Sequence, residues 1–391
     1  MLLIAIAGKP NCGKSTFFKS LTLANVEIAN YPFTTIDPNK GVAYVRSTCP
    51  CKELGIDGGC GNCVDGIRFT PVELLDVAGL VPNAHLGKGL GNQFLDNLRE
   101  ADGIIQIVDA SGSTDAEGNP VEIGTRNPIE DVEFLRYEFS MWMVGIVQKH
   151  LEKIVRSAQG KEAVIIDMLG DALAGLRINA VQIKDAIIES GINIAKASEN
   201  DIEKLCEILL TVSKPMVIAA NKADQTPAKN LEILKECGAV PTISAGELAL
   251  KSAAQMNLLD YLPGDAKFSP KEGAKMTQPQ IKALTMVAEN MKKFGDTGVQ
   301  KVLNKIVFDQ IGMIVVYPVE DEGKFCNAKG VVLPDALLMP KGSTSRDLAF
   351  RIHTDIGKGF LYAVDAKTKM RIKDSAELKN GDVIKIVSTA K

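Results

Sequence analysis

Gly8-Lys9-Pro10-Asn11-Cys12-Gly13-Lys14-Ser15 follows directly on the apolar run Leu2-Leu3-Ile4-Ala5-Ile6-Ala7 and leads into Thr16-Phe17-Phe18. The order predicts a buried strand, a loop of the form G-x-x-x-x-G-K-[ST], and the start of a helix. Gly8 and Gly13 let the backbone curl so that successive N–H groups face one anion, and the helix N-terminus adds its positive dipole end. Lys14 can then reach the β- and γ-phosphates of a nucleoside triphosphate. The Ser15 hydroxyl can ligate the magnesium ion that bridges them. A strand before the loop and a helix-compatible run after it argue against a chance glycine turn.

The rest of the chain must say which base is read, an inference that rests on further motifs. A chain of 391 residues exceeds one ordinary core, so two or three domains are expected. A net charge of −3 argues against coating nucleic acid or membrane with the whole surface, and 46% hydrophobic residues fit a globular chain. No apolar run reaches the roughly 18 residues of a membrane span. The apolar start is short, lacks a basic leader and is used by the first strand, so a cytoplasmic protein with reduced thiols is expected.

Four segments after the loop decide the nucleotide. Tyr31-Pro32-Phe33-Thr34-Thr35 precedes Asp37-Pro38-Asn39 and Gly41. A threonine there, Thr35 or one position earlier Thr34, can place its hydroxyl on magnesium and its N–H on the γ-phosphate. Val72-Glu73-Leu74-Leu75 runs as a strand into Asp76-Val77-Ala78-Gly79, where Asp76 can hold the metal through water and Gly79 can sense the γ-phosphate. Ile104–Val108 forms a third buried strand ending at Asp109. Pro215–Ala220 leads into Asn221-Lys222-Ala223-Asp224. The Asp224 carboxylate can accept from N1–H and the N2 amine of guanine, a donor pair that adenine lacks, so GTP is expected. A last strand through Pro241-Thr242-Ile243 is expected to end in a Ser244-Ala245 loop near the guanine oxygen.

These segments resemble the five motifs of GTPases, and P-N-C-G-K-S-T, Y-P-F-T-T and D-V-A-G-L-V resemble the Obg superfamily. Gly87-Lys88-Gly89-Leu90-Gly91-Asn92-Gln93-Phe94-Leu95 with Arg99-Glu100 is similar to its YchF branch. The resemblance implies a Ras-like α/β P-loop GTPase domain carrying a helical insertion. It also implies a GTP hydrolase of translation or ribosome association, with a YchF-like ATPase of stress or metabolic regulation as the alternative. YchF-type proteins often alter the fourth motif and prefer ATP; here it is the unaltered guanine reader.

Leu80 stands where Ras-like enzymes carry a water-orienting glutamine, and Val81 and Pro82 offer no substitute. Either turnover is slow until a partner acts, or the loop itself compensates. Resemblance to other G-x-P-N-x-G-K-S loops implies a potassium ion held by Asn11 beside the β/γ bridge. The competing reading of Asn11 is tolerance of left-handed backbone geometry. His85 is a candidate base, though a lone loop histidine is more often incidental. The catalytic set is thus Asn11, Lys14, Thr35 and Gly79. The nucleotide set is Asn11, Cys12, Gly13, Lys14, Ser15, Thr16, Asn221, Lys222, Asp224, Ser244 and Ala245, and the magnesium set is Ser15, Thr35 and Asp76.

Between the Thr35 and Asp76 segments lie Cys49-Pro50-Cys51 and Cys60-Gly61-Asn62-Cys63. Four thiols with glycines at 58, 59 and 61 are suited to a tetrahedral zinc site, the alternative being a reduced hairpin. Cys206, Cys237 and Cys326 are isolated.

Asn127-Pro128 with acidic Glu130, Asp131 and Glu133 marks a helix start, and Val132, Leu135, Phe139, Met143, Ile146, Leu151 and Ile154 recur at helical spacing. Ser198-x-x-Asp201 reads as a second helix start. The expected organisation is a GTPase domain of 1–126 and 214–310, a helical or coiled-coil insertion of 127–213, and a domain of 311–391. Helix is expected across 277–310. The last segment shows strand, short helix and two or three strands, a small α+β unit. Leu338–Thr344 and Gly381-Asp382-Val383 resemble the ubiquitin-like TGS domain of translation-linked GTPases. Lys367–Lys373 alternates basic and nonbasic residues; as a strand it would present four cations to a ribosome or RNA.

Overall fold

The computed structural model describes residues 1–23, 39–56, 59–61, 63–77, 79–80, 82–86 and 98–389. Strand β1 (Leu3–Ala7) is buried along its whole length, the pattern of a strand covered on both faces. Helix α1 (Lys14–Thr22) begins immediately after Gly13. Next come β2 (Lys40–Thr48), β3 (Cys63–Val64), β4 (Ile67–Asp76) and the fully buried β5 (Gly103–Asp109). After a helical excursion, β6 (Met216–Asn221) and β7 (Val240–Thr242) complete a sheet of order β2-β4-β1-β5-β6-β7, with β3 paired to β4. β4, β1, β5, β6 and β7 run parallel, whereas β2 is antiparallel to β4. The register pairs Ile6 with Asp76, Asp109 with Asn221, and Asn221 with Thr242. The loops carrying the motifs therefore leave the same edge of the sheet, where ligands of open α/β sheets bind.

The excursion comprises α2 (Pro128–Ser157), α3 (Glu162–Leu173), α4 (Ala180–Ser190) and α5 (Glu199–Ser213). Each local signal has a visible cause. The Asn127 side chain accepts the Ile129 N–H at the start of α2, and reciprocal capping boxes start α4 (Asn179 with Gln182) and α5 (Ser198 with Asp201). The apolar stripe of α2 is core, as expected. That core is not confined to the arm: Phe139, Met143, Leu169, Ile183 and Leu205 form one buried cluster with Leu3, Leu75 and Ile104 of the sheet. The first turns of α2 thus cover the sheet while its far end leads into the other three helices.

Helices α6 (Ala228–Glu236) and α7 (Ser244–Gln255), the small ribbon β8 (Leu259–Asp260) with β9 (Ser269–Pro270), α8 (Gln278–Phe294) and α9 (Val299–Asn304) follow, and a π-helix at Lys305–Gln310 ends this part. The stretch 277–310 is helical as expected, with an interruption between Phe294 and Val299. Gly298 adopts φ +77°, and a Cβ there would lie 1.9 Å from the Pro241 carbonyl oxygen, so the chain passes β7 only as glycine.

The C-terminal part contains β10 (Met313–Val319), β11 (Leu337–Pro340), α10 (Ser345–Ile352), α11 (Thr354–Lys358), β12 (Phe360–Asp365), β13 (Met370–Ile372) and β14 (Val383–Ser388). Its sheet order is β11-β10-β14-β12-β13, with β10 parallel to β14 and the other pairs antiparallel. This is the expected small α+β unit, with β11 as an additional strand. The cationic strand face does not form. Only Met370–Ile372 is strand, and Lys367 to Lys369 turn the β12–β13 hairpin. Lys367 pairs with Glu53 at 2.8 Å, Lys369 bonds the Glu322 carbonyl, and Arg371 lies 4.2 Å from the Tyr362 ring centroid.

Candidate functional site

Around the first glycine-rich loop, protein groups hold one another in place. Gly13 sits at φ 99°, and a Cβ on it would meet the Asn221 amide nitrogen at 2.2 Å, so only glycine lets the base motif lie against the loop. Asn221 Nδ2 donates to the Cys12 carbonyl at 3.0 Å, while its Oδ1 accepts from Ser244 Oγ at 2.7 Å and from the Ser244 N–H. Cys12 is fully buried, and burial pushes its thiol pKa up. Lys14 Nζ donates to the Lys9 carbonyl at 2.8 Å, and Ser15 and Thr16 open α1 beside it. Asn11 takes φ 59° and donates Nδ2 to the Gly118 carbonyl at 3.0 Å. The left-handed geometry is thus present in Asn11.

Asp76, at the end of β4, lies next to this loop. Burial raises its pKa, while the Lys14 charge and a hydrogen bond with Ser15 oppose the rise. Ser15 and Asp76 are therefore neighbours. Gly79 lies against Pro10, where a Cβ would approach the proline Cγ to 2.9 Å, and the Leu80 N–H donates to the Gly8 carbonyl at 3.1 Å. Leu80 itself is buried in the core, turned away from any water. His85 is engaged by α2: its Nδ1 lies 2.6 Å from Glu138 Oε2, and Glu138 also accepts the Asn83 and His85 N–H groups. Thr34 and Thr35, Ala78, Val81, and the 87–95 segment lie outside the described residues.

At the ends of β5 and β6, Lys222 adopts φ 62° and reaches Asp109 Oδ2 at 2.9 Å. Burial alone would raise the Asp109 pKa. Hydrogen bonds from Ser111, Lys222 and Thr114 outweigh that effect and hold the carboxyl below its ordinary value. Asp224 lies exposed in the short turn Ala223–Gln225. The Ser244-Ala245 loop is instead the first turn of α7. The Ser244 N–H is taken by Asn221 Oδ1, whereas the Ala245 N–H, in the first turn of the helix, has no intrahelical acceptor and can face a ligand oxygen.

Several contributors were not read from the sequence. Lys9, 3% exposed, donates to the Thr114 carbonyl and pairs with Asp131 at 2.7 Å. Asp131 reads as an acidic residue complementing the helix dipole, and nothing local shows that it crosses to the loop. The signal for Asp109 was present in the hydroxyl-rich Ser111-x-Ser113-Thr114 that follows it. Through Lys9–Asp131 and His85–Glu138, α2 is tied to both the phosphate loop and the segment after Asp76.

The four clustered cysteines meet at the opposite end of β2 and β4. Cys49, Cys51, Cys60 and Cys63 place their sulfurs within 4.8 Å of one another, with Cys49 to Cys60 at 3.9 Å and Cys51 to Cys63 at 3.8 Å. Three are buried and Cys63 is half-buried.

Comparison with known proteins places the chain in a family. Residues 3–135 match the 50S ribosome-binding GTPase model, 219–321 the Obg-like GTPase YGR210-like, G4 motif-containing domain, and 329–388 the TGS domain. An uncharacterized GTP-binding protein of Methanocaldococcus jannaschii is 50% identical over the whole of both chains. The ribosome-binding ATPase YchF of Mycoplasma pneumoniae is 33% identical over 57% of this chain and 58% of its own. Among solved structures, a GTP-binding protein from Pyrococcus horikoshii superposes with a TM-score of 0.77 at 36% identity over all of both chains. The Schizosaccharomyces pombe YchF GTPase shares the fold, with a TM-score of 0.57 at 21% identity over 99% of this chain and 97% of its own. With its P-loop, its unaltered Asn221-Lys222-Ala223-Asp224 and its C-terminal TGS domain, the chain belongs to the YchF/Obg-like family of GTP-binding proteins.

Proposed function

We propose that this protein hydrolyses GTP to GDP and phosphate and works as a ribosome-associated switch. The observation that carries the choice of nucleotide is the fourth motif. Asn221 is clamped between the phosphate loop and Ser244, Lys222 is fixed on Asp109, and Asp224 is left exposed for a base. A carboxylate there matches the two donors of guanine and would be poorly paired by adenine, which favours GTP over the ATP of the relatives named ATPases.

Magnesium fits the oxygen donors Ser15 and Asp76, with Thr35 as the further expected ligand; bound there it would neutralise charge on the β- and γ-phosphates. Lys14 supplies a second positive charge, and Gly79 lies against Pro10 of the loop. Asn11 uses its amide nitrogen on Gly118, which leaves Oδ1 as a hard oxygen for potassium. Since Leu80 is core, no side chain at that position orients water, and turnover is slow without a partner. Ribosome association rests on the TGS domain and on relatives named ribosome-binding.

Steady-state release of phosphate from GTP, in potassium and in sodium, tests the chemistry; no release above a Lys14→Ala control would contradict it, and equal rates would remove potassium. Nucleotide-dependent co-sedimentation with ribosomes tests the cellular reading, and its absence in every nucleotide state would reject it.

A further inference from the structure

We propose that Cys49, Cys51, Cys60 and Cys63 hold one zinc ion as a tetrathiolate, and that this metal knuckle fastens the TGS domain to the nucleotide-binding sheet. Zinc–sulfur bonds of about 2.3 Å in a tetrahedron put sulfurs about 3.8 Å apart. Two of the observed separations are 3.9 and 3.8 Å, and the whole set lies within 4.8 Å. Soft thiolates in a closed set of four select zinc over the hard cation expected at the phosphates.

A second observation points to an anion at this place. Arg68 is 2% exposed, and its Nε and Nη1 have no hydrogen-bond partner among the described residues. It forms no ion pair among the described residues; Nη2 donates to the Pro334 carbonyl, and the guanidinium stacks 5.4 Å from the Tyr317 ring centroid. A buried cation without a counter-charge is costly. Arg68 pairs in register with Cys63, and zinc with four thiolates carries a net charge of −2. The tetrathiolate supplies a counter-charge that Arg68 lacks among the described residues.

The same residues form the seam with the C-terminal domain. Cys60 bridges to Val332, and the Gly61 N–H donates to the Val332 carbonyl at 3.1 Å. Cys49, Cys51 and Cys60 share one buried cluster with Val315, Tyr317, Leu333 and Val383. Ordering the knuckle therefore orders the surface on which Leu333 and Pro334 rest.

The full chain, purified from zinc-supplemented cells without chelator, is expected to contain about one zinc per chain. Cobalt replacement should give the intense visible absorption of a tetrahedral thiolate site. C60S and C63S should lose the metal, while C237S keeps it. Should the serine variants fail to fold, wild-type metal content and the cobalt spectrum still decide. Four freely titrating thiols, two disulfides by mass, or iron in place of zinc would each overturn the assignment. Stripping zinc should speed amide exchange at Gly61 and Leu333 by about tenfold or more while sparing Gly8 to Ser15. Unchanged exchange at the seam would overturn the fastening role.

Discussion

The β2–β4 pair has one chemistry at each end. Nine paired residues, from Lys40↔Leu75 to Thr48↔Ile67, set the two ends about 27 Å apart. At one end Asp76 meets the phosphate loop, a place for anionic phosphates and hard magnesium. At the other, Cys49 just past β2 and Cys63 in β3 belong to a cage of soft sulfur. The nucleotide end is already internally bonded, with Lys14 on the Lys9 carbonyl and Asn221 on Cys12. The cysteine end retains a buried Arg68 whose Nε and Nη1 have no hydrogen-bond partner among the described residues. A site that exchanges its ligand benefits from protein groups that hold the loop between ligands. A site that keeps its ion can rely on the ion for its final charge balance.

This contrast can be broken by substitutions that should act on one end alone. Lys14→Ala should lower GTP affinity or turnover by about 10²-fold or more, since a preorganised charge is lost from the phosphates. Metal content should stay unchanged; a parallel loss of metal would couple the two ends. Asp131→Ala leaves Lys9 buried without its counter-charge and should destabilise the chain by about 3 kcal/mol in urea unfolding. A loss under about 1 kcal/mol would show that the Thr114 carbonyl alone sustains Lys9. Asn11→Ala should reduce the potassium-to-sodium rate ratio to about one, a change of about tenfold at most.

The smallest effect is in pH dependence. The Asp109 pKa is below its ordinary 3.8, so the unfolded chain binds more protons in that window and stability rises with pH. Its contribution is complete above 3.8 and disappears as pH falls through the folded value. Asp76 is raised, so its contribution has the opposite sign and is lost as pH rises from 3.8 through its folded value. Urea midpoints over this acid range should therefore slope less steeply with pH in Asp109→Asn than in the parent. An unchanged slope would remove Asp109 as a determinant.

Much of this was legible in the sequence because it is local. The phosphate loop, Asp76-x-x-Gly79 and Asn221-Lys222-x-Asp224 each sit at a strand end, and hydrophobic periodicity placed α2 and the C-terminal strands. What escaped was set by tertiary contacts. The close approach of Gly298 to the Pro241 carbonyl joins residues distant in sequence. Lys367–Lys373 alternates like a strand, but pairing with β12 begins only at Met370, so its first residues turn instead. Asp131 and Glu138 look like ordinary helix acids until the fold brings Lys9 and His85 against them. Cysteine spacing named a candidate cage, whereas Arg68 became relevant only once its burial beside Cys63 was seen.

The central claim is that Asp224 makes this a reader of guanine. Competition between GTP and ATP for a fluorescent GTP analogue on the full chain tests it directly. GTP should displace the analogue at about 100-fold lower concentration than ATP, and Asp224→Ala should erase most of that ratio. Equal or tighter binding of ATP by the unaltered chain would contradict the claim.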